Sequence, residues 1–320
     1  MRRPLFFVLL FVLALPAAAE DRRQDKTRLK VATFNAEFLW DGRAPEEGEG
    51  DFPWKGSPQK AEAHMAEIAE VVRALDADLL NLVEVENLAA LELFNGKFLA
   101  GMGYKAYLDE GIDTATGQDV ALLTRVDPRR FARDNRAGRS GGRKKSVSKN
   151  YVASFDLGGL QLSVIGLHLI AKPSDGRRRE DREAQADAIR SMALEQAGQG
   201  RQLIVLGDFN DLDGEVPDAR AERPISRVLQ WIRSMDPATT KDDLLNVARG
   251  IPQDRRFTTF VDHNRNGRAD SPRELSMIDH ILVSRDLDPK VISVDVRQPH
   301  LADLTRVSNH FPVVMTLRLN

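Results

Sequence analysis

The 320-residue chain contains no cysteine, so a disulfide framework and a thiolate metal site are both excluded. If the protein is exported, its stability must come from its core and from any bound metal. Beyond the N-terminal segment, no apolar run approaches the roughly 20 residues that a membrane-spanning helix needs. Net charge is nearly absent as well, because 46 basic residues stand against 48 acidic ones. Any attraction for a polyanionic substrate must therefore be local.

What the sequence does have is an N-terminus with the three parts of a secretory signal peptide. Arg2 and Arg3 give a positive n-region, residues 5–15 form an apolar h-region, and alanines at 17–19 offer a small-residue cleavage site. The apolar run is shorter than a membrane span, which favours a cleaved signal peptide at residues 1–19 over an uncleaved anchor. We therefore expect a periplasmic or secreted protein.

The rest of the chain shows no linker and no internal repeat. Residues 20–28 predict a flexible lead-in and residues 29–320 a single domain, with a long surface loop at 41–58. Apolar residues then follow either helical or strand spacing. The predicted helices cover 65–75 and 181–197, and the predicted strands 29–34, 79–85, 120–124, 152–157, 160–167, 202–206, 281–283 and 313–317. Strands mixed with helices in one chain predict an α/β or α+β domain.

Polar residues of metal-ligating or acid–base type stand at the ends of the apolar strands. They are Asn35, Glu37, Glu84, His168, Asp208, Asn210, Asp279, His280, Asn309 and His310. A single such residue is usually a turn former, but turns alone do not explain carboxylates and histidines at so many strand ends. Clustered carboxylates repel unless a cation neutralises them, and oxygen ligands without cysteine favour Mg²⁺, Mn²⁺ or Ca²⁺ over structural zinc. Such a centre suits phosphoryl chemistry.

Six short motifs carry these residues along the chain. They are Thr33-Phe-Asn-Ala-Glu37, Leu82-Val-Glu-Val-Glu86, His168-Leu, Gly207-Asp-Phe-Asn-Asp211, Ile278-Asp-His280 and Ser308-Asn-His310. Each is weak alone, and the run from Gly207 is the firmest. Together, and in this order, they resemble the endonuclease/exonuclease/phosphatase superfamily from about residue 29 to the C-terminus. The resemblance implies a four-layered αββα sandwich of two packed mixed β-sheets and a metal-dependent hydrolase of phosphoester bonds.

The resemblance also implies roles for the first matched residues. Glu84 would be the principal metal ligand, supported by Asn35 and Glu37. Asp208 would orient or deprotonate the attacking water. Asn210 would hold the scissile phosphate.

For the second half of the chain the same analogy implies a phosphate-binding histidine. His310 would contact the phosphoryl oxygens, Asp279 would fix its ring, and His168 would assist the leaving group. Asn309 departs from the family, whose members usually carry aspartate there. Asparagine keeps an oxygen donor but loses the charge, so weaker metal binding or loss of turnover would follow.

Two further histidines receive no role. His280 follows Asp279 at a position where many members carry an aromatic residue, which predicts packing within the sheet. His64, at the edge of a predicted helix, is expected to be a surface or capping residue.

The segment 125–149 contains ten Lys or Arg residues and only two Asp. Taken alone it predicts a solvated, mobile loop. Beside a phosphoesterase site, Arg143, Lys144 and Lys145 become candidates to bind a phosphate backbone, and Lys172 with residues 177–179 would extend that surface. Such contacts are salt-sensitive and independent of base sequence. A single aromatic residue, Phe131, gives little support for single-strand stacking.

Residues 262–270 place oxygen ligands at calcium-loop spacing. The ligands are Asp262, Asn264, Asn266, the backbone carbonyl of Arg268, and Asp270, with Gly267 at the sharp turn. Position twelve is Arg273 rather than the usual glutamate, although Glu274 is adjacent. A structural Ca²⁺ site and a simple Asn/Gly-rich turn explain the pattern equally well.

The leading hypothesis is an exported nuclease that uses Mg²⁺ or Mn²⁺ and an activated water to hydrolyse phosphodiester bonds of nucleic acid. A phosphatase or a sphingomyelinase-like lipid phosphodiesterase is the alternative among enzymes, although no apolar hairpin suggests action on membranes. A non-catalytic binding protein on the same fold has its only support in Asn309. We expect a monomer without stable membrane association.

Overall fold

A computed structural model describes residues 19–43, 53–113, 116–266, 268, 271, 274–297 and 307–319. The predicted signal peptide, apart from its last residue, and residues 44–52 of the loop predicted at 41–58 lie outside these residues. Across the described part, the elements in chain order are β1 (Arg28–Leu39), α1 (Pro58–Leu75), β2 (Leu79–Val85), α2 (Leu88–Phe98), β3 (Lys105–Tyr107), β4 (Asp119–Thr124), β5 (Arg130–Ala132), β6 (Ala137–Ser140), β7 (Arg143–Ser146), β8 (Lys149–Leu157), β9 (Leu160–His168), α3 (Arg179–Gly198), β10 (Gln202–Asp208), α4 (Val228–Arg233), β11 (Leu244–Asn246), β12 (Thr259–Phe260), β13 (Leu275–Ser276), β14 (Asp279–Ser284), β15 (Val291–Val296) and β16 (Val313–Arg318). Within this same part, no helix is long and apolar enough to cross a membrane.

Two six-stranded mixed sheets contain most of the strands. The first has the order β15-β16-β1-β2-β4-β3, and the second β11-β14-β10-β9-β8-β5. In the first sheet β1 and β2 are parallel, and in the second β9 and β10 are parallel. The remaining neighbours in both sheets are antiparallel.

An apolar layer lies between the two sheets and sets their faces. It includes Leu29 and Val31 of β1 and Ile204 and Leu206 of β10. Because successive strand residues point to opposite faces, Phe34 and the other alternate residues of the first sheet pack against α1 and α2. The outer face of the second sheet packs in the same way against α3 and α4. These four layers confirm the αββα sandwich predicted from the sequence.

The strand directions bring the polar strand ends to one edge of the sandwich. Parallel strands end at the same edge, so β1 meets β2 there and β9 meets β10. Antiparallel neighbours begin at that edge, because Asp208 of β10 pairs with Asp279 of β14, and Lys149 of β8 pairs with His168 of β9. Residues that are far apart in the sequence therefore share one rim.

The expectation of a mobile loop at 125–149 is wrong. The segment contains β5 and the hairpin β6–β7, which packs on α3. Gly138 lies so close to the helix that a Cβ there would come within 2.2 Å of the Ala184 carbonyl oxygen. Ser140 also donates a 2.8 Å hydrogen bond to Glu183. The hairpin carries little apolar alternation, so its strands are invisible to pattern analysis.

Candidate active site

Two strands of the first sheet are irregular at the shared rim, and each irregularity carries a glutamate. The pairing of β1 with β2 shifts between Asn35 and Leu39, and Glu37 within that shift has φ 47°. The pairing of β2 with β4 shifts around Glu84, which has φ 64°. A residue other than glycine in this left-handed region costs roughly 1–3 kcal/mol, and such residues cluster at functional sites.

Asn35 links the two sheets through its side-chain amide. Its Nδ2 donates to Glu84 Oε1 at 3.1 Å and to Asp208 Oδ2 at 3.2 Å. The other oxygen of Glu84 accepts a 2.7 Å bond from Gln118 Nε2. Glu37 Oε2 accepts from the backbone N–H of Asn309 at 2.8 Å. The structure thus brings the four residues predicted as metal ligands to the rim, and joins them into one network with Asp208.

The end of β10 requires a glycine where it passes close to β9. Gly207 has φ 141°, and a Cβ there would lie 2.0 Å from the carbonyl oxygen of Leu167 on β9. The close approach lets Asp208 emerge beside β9, where its Oδ1 accepts a 2.8 Å bond from the backbone N–H of Asn210. Asn210, at φ 48°, donates its amide to the Leu169 carbonyl at 3.1 Å.

Two histidines face the same oxygen of Asp208. The Nε2 atoms of His168 and His310 lie 3.6 Å and 4.0 Å from Asp208 Oδ2. His310 Nδ1 donates to Asp279 Oδ2 at 2.8 Å, and the backbone N–H of Asp279 is anchored on Thr258 Oγ1 at 3.0 Å. The Asp279–His310 pair therefore has the orientation that the sequence resemblance implies.

Burial and charge shift the pKa values of this cluster in opposite directions. Burial raises the pKa of Glu84, and burial together with the Asp279 charge raises that of Asp208. Although burial opposes it, the pKa of His310 is raised to about 10 by Asp279, Asp208 and Glu84. Burial, with Lys149 and His310 nearby, holds the pKa of His168 well below its usual range. One histidine is therefore cationic and the other neutral at pH 7.

The donor set fits a divalent cation. Asp208, Asp279 and His310 each place one ligand atom within 4.8 Å of the others. In that trio His310 and Asp279 already satisfy each other through their hydrogen bond, whereas Asp208 faces the glutamates of the first sheet. Burial penalises the ionised forms of Glu84 and Asp208 and so raises their pKa values, and a cation would offset that penalty. Glu84, Glu37, Asn35 and Asp208 supply the oxygen ligands that hard cations prefer.

Lys149 lies at the site although it was not singled out in the sequence. Its side chain is buried, and its Nζ pairs with Asp113 Oδ2 at 3.1 Å. Its positive charge partly offsets the burial that raises the pKa of Glu84, and it adds to the burial that lowers the pKa of His168. Gln118 is a second omission. Both residues stand at or just before the start of an antiparallel strand, so only the strand register places them beside a motif residue.

The prediction that His64 is a surface or capping residue is wrong. The side chain is buried rather than at the surface, and its ring stacks on Trp54 at 4.2 Å. Burial lowers its pKa, so the ring is neutral, and its Nε2–H donates to the carbonyls of Ala36 at 3.3 Å and Glu37 at 3.0 Å. His64 therefore holds the irregular segment that carries Glu37.

His280 packs within the second sheet, as predicted. It meets Phe209 edge to face at 5.4 Å. Its Nε2 donates to the Asp211 carbonyl at 3.0 Å, and its Nδ1 accepts from Asn246 at 3.1 Å. These bonds fix the loop that follows Asp208.

The structure does not place the predicted basic residues in the cluster. Arg143 and Lys145 pair with Asp181 of α3 at 2.8 Å and 3.8 Å, whereas Lys144 is exposed. Arg177 pairs with Asp175 at 3.0 Å in the same way. Part of the positive charge expected to meet a phosphate backbone is thus neutralised within the protein.

The candidate calcium loop is described only in part, because Gly267, Asp270 and Arg273 lie outside the described residues. The backbone N–H of Asn266 donates to Asp262 Oδ1 at 3.1 Å and to Asn264 Oδ1 at 3.0 Å. Glu274, the neighbour of position twelve, is buried and accepts from the Ser271 N–H at 3.2 Å.

The sequence profile of the Endonuclease/Exonuclease/phosphatase family matches residues 32–310 of this chain. No curated protein matches the chain by sequence.

Solved structures share the fold. The 3′ phosphatase NExo from Neisseria, bound to product DNA hairpin, is 19% identical with a TM-score of 0.59, over 90% of this chain and 98% of that chain. The 3′-5′ exonuclease NExo from Neisseria meningitidis is 18% identical with a TM-score of 0.58, over 91% and 100%. Truncated TDP2 from Caenorhabditis elegans is 17% identical with a TM-score of 0.54, over 91% and 98%.

Proposed function

We propose that this chain, which belongs to the Endonuclease/Exonuclease/phosphatase family, is an exported nuclease that hydrolyses phosphodiester bonds of nucleic acid. Family membership makes it a metal-dependent hydrolase of phosphoester bonds. The substrate, the identity of the metal and the export are the parts that are proposed.

One observation carries the mechanism: the carboxylate of Asp208 lies among two histidines and the amide of Asn35. Its raised pKa suits a general base, because a base works best when its pKa lies near the working pH. Asp208 accepts a proton from the attacking water. The Asn210 N–H bonded to Asp208 Oδ1 keeps that carboxylate oriented during the transfer.

The remaining polar groups act on the phosphate. His310, kept protonated by Asp279, donates from Nε2 to a phosphoryl oxygen and offsets the charge that develops there. Asn210 donates one side-chain N–H to the Leu169 carbonyl and binds the scissile phosphate with the other. Neutral His168 donates a hydrogen bond to the leaving oxygen.

A divalent cation, when bound, polarises the phosphoryl group and offsets its negative charge. Glu84, Glu37 and Asn35 would hold it, with Asp208 opposite. Because these ligands are carboxylate and amide oxygens, we propose Mg²⁺ or Mn²⁺. The backbone bond from Asn309 to Glu37 fixes one ligand without adding a charge.

Nucleic acid is favoured as substrate by the positive charge of Lys149, which lies beside Glu84 and His168. The Neisseria structure that shares the fold holds a DNA hairpin, which suits the same interpretation. The signal-like residues 1–19 support export to the periplasm or beyond.

Purified protein with Mg²⁺, Mn²⁺ or Ca²⁺ should be assayed on duplex DNA, RNA, a phosphomonoester and sphingomyelin. We expect turnover of nucleic acid that chelation abolishes. Asp208→Ala and His310→Ala should each lose hydrolysis while their melting temperatures stay nearly unchanged. Turnover of sphingomyelin or the monoester alone would reject the nuclease, and full activity in either variant would reject the mechanism.

Export has a separate test. The full-length chain should appear outside the cytoplasm with its N-terminus near Glu20, whereas a chain that lacks residues 1–19 should stay inside. Equal distribution of the two forms would reject the proposal.

A further inference from the structure

An arginine-lined cleft lies beside the second sheet, apart from the catalytic cluster. It has a volume of about 280 Å³ and sits between β5, β8 and the C-terminal half of α3. Its charged lining consists of Arg129, Arg130, Arg133, Arg136, Arg201, Asp134 and Glu195. Five arginines thus face two carboxylates, although the whole chain is nearly neutral.

One arginine forms ion pairs with both carboxylates of the cleft. Arg136 pairs with Asp134 at 2.7 Å and also with Glu195. Arg129 and Arg130 are exposed and have no ion-pair partner in the described part of the chain. The cleft therefore keeps an excess of positive charge.

Arg133 has an unmet need for an acceptor. Its Nε donates to the Ser148 carbonyl at 3.3 Å, but its Nη2 is buried and finds no hydrogen-bond partner among the described residues. A buried donor without a partner is costly, so the Arg133 guanidinium keeps unused hydrogen-bonding capacity in the lining of the cleft. Guanidinium groups bind phosphate in a bidentate manner, which makes phosphate the matching chemistry.

The cleft is connected to the active site along β8. Lys149, beside Glu84 and His168, follows Ser148, the residue to which Arg133 donates. The same strand then passes Val152 and Ser154, which line the cleft. At about 3.4 Å per strand residue, Ser154 lies roughly 17 Å from Lys149. Nucleic acid that extends from the active site along this strand would reach the cleft within a few phosphates.

We propose that the cleft is a second phosphate-binding site, which holds the backbone of nucleic acid a few nucleotides from the bond that is cut. The inference rests on the proposed function, since it assumes nucleic acid in the active site. Contacts of this kind position the strand without reading its bases. They also favour long substrates over short ones, because a short substrate cannot reach the cleft.

The test compares Arg129→Glu/Arg130→Glu with a matched control, Arg28→Glu/Arg318→Glu. The control also reverses two exposed arginines, which are neighbours on β1 and β16 at the far end of the first sheet. Each variant should be assayed on a 20-base-pair duplex, a dinucleotide and bis(4-nitrophenyl) phosphate. Circular dichroism melts would verify that both variants are folded.

For the cleft variant we expect KM on the duplex to rise about tenfold with kcat unchanged, and the salt slope of log KM to fall by about 1.8 for two lost phosphate contacts. The small diester and the dinucleotide should be turned over as by the wild type. If KM is the same in the cleft variant and the wild type, or if it rises equally in the control, the cleft does not bind phosphate. The proposal that the protein is a nuclease would still stand. If the wild type cleaves the small diester but neither nucleic acid, the nuclease and the cleft both fail.

Discussion

Glu37, Glu84 and Asn210 each occupy the left-handed backbone region, in which a β-carbon is normally disfavoured. Each such residue stores roughly 1–3 kcal/mol of strain that the surrounding sheets must hold. The strain has a use: it turns Glu37 and Glu84 out of the regular alternation of β1 and β2, and it turns Asn210 back toward the site after β10 ends. At the scale of single residues, the arrangement of the site therefore costs local backbone stability.

Asp279 should control the alkaline limit of activity. The pKa of His310 is raised to about 10 chiefly by Asp279, against the opposing effect of burial. Asp279→Asn removes that charge, so the basic limb of the kcat/KM profile should move to lower pH and kcat/KM at pH 8 should fall about 100-fold. The same linkage stabilises the fold fully below the unfolded pKa of about 6.5, and the stabilisation fades as pH rises through the folded value. An unmoved basic limb would contradict the role of His310.

Asn309→Asp should restore a charge next to Glu37. Its backbone N–H already holds the Glu37 carboxylate, so an added carboxylate would join the metal-binding side of the cluster. We expect half-maximal activity at an approximately tenfold lower Mg²⁺ concentration, within the range typical of neighbouring-group effects on metal sites. Titrations that superimpose on the wild type would show that the missing charge is irrelevant.

At the scale of elements, α1 supports β1 through one side chain. The helix begins at Pro58 and turns an apolar stripe toward the first sheet, and His64 lies on that stripe. Its ring donates to the carbonyls of Ala36 and Glu37, at the place where β1 leaves regular pairing. The helix thus holds a ligand-bearing strand end from behind.

His64→Ala should weaken metal use without touching a ligand. Loss of an outer partner of this kind typically lowers metal affinity 10–100-fold. The Mg²⁺ titration of activity should shift accordingly, and His64→Gln, which can still donate to both carbonyls, should recover part of the loss. If the alanine and glutamine variants behave alike, His64 serves packing only.

The loop at 262–270 gives a separate prediction for a connecting element. We expect millimolar Ca²⁺ to raise the melting temperature and a chelator to lower it. Extracellular calcium modules bind Ca²⁺ with dissociation constants on the order of 10⁻⁴–10⁻³ M. Asp262→Ala combined with Asn264→Ala should abolish the difference, with Mg²⁺ as the control ion. A melting curve indifferent to Ca²⁺ would leave the simple turn, which the bonds to the Asn266 N–H already explain.

At the scale of the whole molecule, metal and fold are linked. Without a cation, burial raises the pKa of Glu84 and Asp208, so their ionised forms destabilise the fold above the ordinary carboxyl pKa. A cation should therefore raise the melting temperature more at pH 8 than at pH 5. Saturation at 100 times Kd is worth about 2.7 kcal/mol. Glu84→Gln should remove most of the effect, and an equal rise in that variant would refute the assignment.

The resemblance carried by the six motifs predicted the sandwich. The polar residues that directly follow apolar strands predicted that these strand ends come together. Asp208 and Asp279 needed no strand order to be noticed, since each adjoins a recognisable run. Lys149 and Gln118 could be identified only from the strand order, because they reach the site through antiparallel pairing that periodicity does not determine. His64 was missed because a stripe of helical spacing does not show which strand lies beneath it.

The strand order has a last consequence, for when activity begins during synthesis. The first sheet is completed by β16, which pairs with β1 across nearly the whole chain, and His310 stands just ahead of β16. Contacts of such sequence separation form late. A chain whose synthesis has not reached His310 therefore lacks both the strand that pairs with β1 and the proposed phosphate-binding histidine. We expect such an incomplete chain to be inactive.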